Sequence, residues 1–65
     1  MPTIRVEMFE GRTNEQKRAL AKELTEACVR AIGASPGSVD ILFFDIPKQD
    51  WASGGTLWSD VPPKP

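Results

Sequence analysis

The chain contains no histidine, so a proton moved near neutral pH must pass through a carboxylate, a lysine or an α-amine. The most unusual candidate is Pro2. Initiator methionine is normally removed ahead of so small a residue, which leaves a secondary amine at the terminus. A free α-amine titrates near about 8, closer to neutrality than lysine at about 10. Burial beside a cation lowers it further, because desolvation and like charge both disfavour the ammonium form. Such a group is a general base at neutral pH. A plainer alternative makes Pro2 only a rigid start to a strand. The other reactive side chains offer less. Cys28 is the single cysteine, so no intrachain disulfide is possible. It lies in an apolar helical stripe and is read as core packing rather than as a reactive thiol. With no histidine and scattered carboxylates, a zinc site is excluded.

The elements that must hold Pro2 are legible in the hydropathy pattern. Residues 3–9 alternate, with Ile4, Val6 and Met8 pointing one way and Arg5 and Glu7 the other, which predicts a strand. Glu10-Gly11-Arg12 is a turn in which Gly11 supplies backbone freedom. Thr13 and Gln16 fit a capping box. Behind them Leu20, Leu24, Ala27, Cys28, Ala31 and Ile32 share one face of a helix over about 14–32. Lys22–Glu26 and Glu26–Arg30 are spaced as i,i+4 ion pairs on its wet side. Gly33 is the expected C-cap, and Pro36 and Gly37 stop the helix.

Val39 to Ile46 is a second strand with two apolar faces, Val39, Ile41 and Phe43 against Leu42, Phe44 and Ile46. Both faces need cover. One helix covers one face of a two-stranded sheet, so the other requires a second chain. Strand, helix and strand form a right-handed βαβ unit with parallel strands. Residues 48–51 form a short helical turn, and Gly54-Gly55 closes a hairpin within 52–58. Val61-Pro62-Pro63-Lys64-Pro65 is a surface arm or disordered.

Size and charge bound what this unit can be. At 65 residues, a chain buries only about 60% of its unfolded surface and is marginally stable alone. Disulfide and metal staples are absent by composition, which leaves oligomerisation. Eight basic against nine acidic residues, a net charge of −1, give no electrostatic footprint for nucleic acid. No apolar run approaches a membrane span, and the first residues lack the regions of a signal peptide. The cytoplasm is the expected compartment.

Pro2 at the head of a strand, Glu10-Gly11-Arg12-Thr13-Asn14-Glu15-Gln16-Lys17-Arg18, a helix, a second strand and Trp51-Ala52-Ser53-Gly54-Gly55 together resemble the 4-oxalocrotonate tautomerase family. The resemblance runs from Pro2 to about Asp60. It implies an α/β (α+β) fold in one domain over 1–65, with 61–65 a Pro-rich tail. The subunit would be a βαβ unit with a short C-terminal β-hairpin. Two subunits would make a four-stranded sheet, and the assembly would be a homohexamer or, short of that, a dimer.

The resemblance also implies a cofactor-free isomerase, acting on an unsaturated oxo or hydroxy acid of the kind met in aromatic degradation. It would ketonise a 2-hydroxydienoate or other enol acid to its 2-oxo form. Pro2 matches the catalytic amine. Arg12 matches the arginine that binds a substrate carboxylate, a role suited to the two-pronged guanidinium; its alternative is a solvated charge before a helix N-terminus, where the helix dipole disfavours a cation. Trp51 matches an aromatic that walls the site and excludes water. Trp51 and Trp58 are alternatively interface or core residues.

Asp40 is the departure, standing where well-known members carry a second arginine that polarises the substrate carbonyl. Three readings stay open for it: an exposed strand-start residue, a group that binds a cationic or hydroxylated substrate or positions water, or a misalignment. A water-activating carboxylate beside Pro2 resembles the family's hydratase, dehalogenase and decarboxylase branches, in which the proline is an acid. A non-catalytic oligomeric binding module is the remaining alternative.

Overall fold

A computed structural model describes residues 2–62 of the chain. Its elements run β1 (Thr3–Phe9), α1 (Asn14–Ile32), β2 (Asp40–Ile46), and a hairpin of β3 (Ala52–Ser53) and β4 (Thr56–Leu57). Short 3₁₀ turns at Pro36–Ser38, Lys48–Asp50 and Trp58–Asp60 punctuate the connections. β1 and β2 are parallel, in a register from Thr3↔Asp40 to Phe9↔Ile46. β3 and β4 form a separate antiparallel ladder, Ala52↔Leu57 and Ser53↔Thr56.

Helix α1 begins where its capping chemistry lies. Gln16 N–H donates to Thr13 Oγ1 at 3.1 Å, and Thr13 N–H donates to Gln16 Oε1 at 2.9 Å, so two orphan donors of the first turn are satisfied reciprocally. It ends at Gly33, left-handed at φ 70°, whose N–H reaches Val29 O. The hairpin turn holds Gly54 at φ 60° and Gly55 at φ 84°, the backbone that a two-residue turn matched to strand twist demands.

Three expectations are corrected. The second strand starts at Asp40 rather than Val39, because Val39 N–H closes the preceding 3₁₀ turn onto Pro36 O at 3.3 Å. Neither Lys22–Glu26 nor Glu26–Arg30 closes to ion-pair distance; among the described residues the ion pair is Lys17–Asp45, from α1 to β2. Exposed helix pairs gain too little to hold two long side chains in one geometry. Cys28 is only half-buried. Pro63 to Pro65 of the expected tail, and Met1, lie outside the described residues.

The apolar stripe explains Cys28. Leu20, Leu24, Ala27 and Cys28 are all half-buried, while Ala31 is exposed and Ile32 is 67% exposed. A 19-residue helix is about 28 Å long, whereas seven-residue strands reach about 23 Å. The last turn of α1 therefore overhangs the sheet.

The sheet is covered on one side only. Ile41 and Phe43 turn toward the half-buried side, while Leu42 is 46% and Phe44 37% exposed on the other. The Arg5 guanidinium lies 4.8 Å over the Phe44 ring, a modest shield at such exposure. No described residue is fully buried. The chain exposes 5121 Å², against about 4,100 Å² for a compact monomer of 7.2 kDa. Its radius of gyration is 15.2 Å, against about 11 Å for a compact globule of this length.

Candidate active site

The four residues singled out by the sequence fall into two groups at opposite ends of the sheet. Pro2 and Asp40 meet at one end, where Asp40 N–H donates to Pro2 O at 3.0 Å. Asp40 is exposed and Pro2 half-buried. Pro2 immediately precedes β1 and Asp40 opens β2, so the parallel pairing that fixes the register also brings them together.

Arg12 and Trp51 lie at the other end. The strand ladder continues past Phe9 with Glu10 N–H on Ile46 O at 3.1 Å. Gly11, at φ 112°, then turns the chain into α1. Arg12 thus sits at the mouth of a cleft of about 240 Å³ between β1 and α1, lined also by Val6, Met8, Gln16, Lys17 and Leu20. Among the described residues, Arg12 has no ion-pair or hydrogen-bond partner, and it is exposed. The neighbouring cation, Lys17, is engaged by Asp45. A free guanidinium over an apolar cleft suits an acid with an apolar body, because the charge finds a two-pronged partner and the rest leaves water.

Trp51 reaches this end through Phe9. The two rings meet edge to face at 4.8 Å between centroids and 65°, the geometry the ring quadrupoles prefer. Trp58 packs on the same Phe9 at 5.6 Å and 64°, and Lys48 Nζ lies 5.7 Å over it. Phe9 was not singled out by the sequence. A signal existed: a two-residue turn at 54–55 places 51 opposite 58, so two tryptophans face each other across one hairpin.

Strand β1 separates the groups. At about 3.3 Å per residue, Pro2 and the turn at 10–12 lie roughly 25 Å apart. The apolar cleft includes Arg12 and neither Pro2, Asp40 nor Trp51. One chain therefore does not bring Pro2 and Arg12 within reach of one small molecule.

Comparison with known proteins places this architecture. The family model described as tautomerase enzyme matches residues 2–60. A probable tautomerase of Streptococcus pneumoniae is 47% identical over 57 residues, covering 88% of this chain and 95% of the relative. A 2-hydroxymuconate tautomerase of Comamonas testosteroni is 40% identical over 55 residues, 85% of this chain and 87% of that one. The crystal structure of YwhB, a homologue of 4-oxalocrotonate tautomerase, superposes with a TM-score of 0.90 at 38% identity, over 94% of this chain and 100% of that one. A heterohexamer 4-oxalocrotonate tautomerase from Chloroflexus aurantiacus gives 0.88 at 31% identity, over 95% and 100%. By its parallel strands, its capped helix and its sequence from Pro2 onward, the chain belongs to the tautomerase family, with the fold of the 4-oxalocrotonate tautomerases.

Proposed function

We propose that this chain is a cofactor-independent tautomerase of enol acids that works through the amine of Pro2 once Met1 is removed. The nitrogen lone pair takes the proton of the substrate's 2-hydroxyl. The oxygen's electrons form the 2-oxo group, the double bonds shift, and the distant carbon takes a proton back from the ammonium. Atoms balance and no redox partner is needed. The observation that carries this reading is Arg12, a free guanidinium over an apolar cleft, which suits the carboxylate of such a substrate and draws electron density toward it. Trp51 does not line that cleft within one chain; it serves as an aromatic wall of the site assembled from two copies, excluding water from the bound substrate.

Because Pro2 and Arg12 lie at opposite ends of β1, the working site takes Pro2 from one copy and Arg12 from another. A homo-oligomer, a hexamer or a dimer, supplies both. The uncovered sheet face and the surface excess support association, as does the heterohexamer from Chloroflexus aurantiacus among the structural neighbours. The name of the Comamonas relative supports a 2-hydroxydienoate as substrate. This reading keeps the cytoplasm as compartment; among the described residues no helix is long and apolar enough to cross a membrane.

A second reading is favoured by Asp40. Its backbone is bonded to Pro2, and a carboxylate near an amine favours the ammonium. A protonated proline with a water-positioning carboxylate suits a hydratase or dehalogenase.

The test is an intact mass to establish removal of Met1, followed by ketonisation of phenylenolpyruvate across pH. Protein retaining Met1 has an amide nitrogen at Pro2, and its rate should fall at least about a hundredfold, the reach of a positioned base. Equal rates with and without Met1 would overturn the amine as base. Turnover of a haloacrylate in place of the enol acid would move the assignment to the second reading. Absence of both activities, with no labelling of Pro2 by a halopropiolate, would leave a binding module.

A further inference from the structure

The hairpin that follows Trp51 is too small to hold itself. Its ladder is two residue pairs long, and its turn is two glycines with no side chains to pack. An isolated two-stranded hairpin is at best marginal in water. What closes it is Trp58. Its backbone N–H donates to Trp51 O at 2.9 Å, its indole Nε1–H donates across the hairpin to Ser53 Oγ at 2.9 Å, and its ring lies on Phe9. Phe9 is at once the aromatic contact of Trp51. Trp58 is 36% exposed, so water was open to its indole N–H; the serine bond fixes ring direction rather than rescuing a buried donor.

We propose that Trp58 is a positioning residue: by clamping Ser53 and bracing Phe9, it fixes the ring of Trp51 as a wall of the substrate site. The assignment rests on the reading of Trp51 as that wall. Trp58 itself touches no substrate. Its effect passes through Phe9 and the hairpin backbone, so it should act on substrate binding more than on proton transfer.

The test uses the full chain in its native assembly, labelled with 5-fluorotryptophan. Trp58→Phe keeps a ring on Phe9, removes the indole donor and leaves Trp51 as the single fluorine signal. Ser53→Ala removes the acceptor with a milder change, and Ser53→Thr restores the hydroxyl. The Trp51 resonance should shift or broaden in W58F and S53A and return in S53T, with size-exclusion mass unchanged. With phenylenolpyruvate, KM should rise about fivefold in each single variant while kcat stays within about twofold. The double variant should be no worse than W58F, because both substitutions break one bond. A Trp51 signal that stays in place in S53A overturns the clamp. A signal that moves with no change in KM leaves the clamp and overturns Trp51 as the wall. The fluorine measurement reads the clamp even if phenylenolpyruvate is not turned over.

Discussion

The two ends of the parallel sheet are built differently. At the Arg12 end, a capping box, a left-handed glycine, the Lys17–Asp45 ion pair and three aromatic rings converge within a few residues. At the Pro2 end, one backbone hydrogen bond joins two strand starts, and Asp40 stands exposed. The first end is preorganised by its own chain. The second is bare, and the amine proposed to do the chemistry there would take its surroundings from another copy. Under the proposed function the contrast is a division of labour, binding at the built end and proton transfer at the open one, joined when two chains meet.

The largest expected effect breaks the separation outright. Arg12→Ala should lower kcat/KM for phenylenolpyruvate about a hundredfold, as loss of a charge-assisted two-pronged contact does, and Arg12→Lys should recover only part of it. Refolding this variant together with chains blocked at Pro2 should restore about a quarter of wild-type activity, since a site drawn from two chains is intact when each contributes its sound end. No recovery in the mixture would place both groups in one chain and undo the comparison.

A smaller effect isolates the open end. Asp40→Asn removes the negative charge of the residue whose backbone N–H bonds Pro2 O, and a carboxylate that acts on the amine favours the ammonium form. For a base, activity is lost as pH falls through the amine's titration. The acidic limb of the pH–rate profile should therefore move to lower pH, with KM little changed. A limb that stays in place would mean the carboxylate does not sense the proline. Smallest is the change at the built end. Thr13→Ala removes one arm of the capping box and should cost about 1 kcal/mol, read as a lower denaturation midpoint with the pH limb unmoved.

Much of the fold was legible because its signals are local. Alternation gave β1, Thr13 and Gln16 gave the start of α1, Gly33 its end, and Gly54-Gly55 the hairpin turn. Val39 was misjudged because a valine extends a strand as readily as it closes a 3₁₀ turn; Pro36 O decides between them. The two-sided apolar character of β2 correctly announced an uncovered face. The site was less legible. Pro2 was singled out by its residue type and Arg12 by the family resemblance, and nothing in their spacing shows the roughly 25 Å of strand between them except the parallel register. Phe9 escaped, and Trp58 was read chiefly as an interface or core residue, because their contact is a tertiary fact, although the hairpin arithmetic already set 51 against 58.

A polypeptide in which no described side chain is wholly sheltered from solvent has little to gain from folding by itself. Under the proposed association of copies, its shape and its assembly become a single equilibrium, governed by how many copies share the same volume. Dilution would act on such a protein as a denaturant does, and abundance in the cell would set the active fraction as well as the total amount.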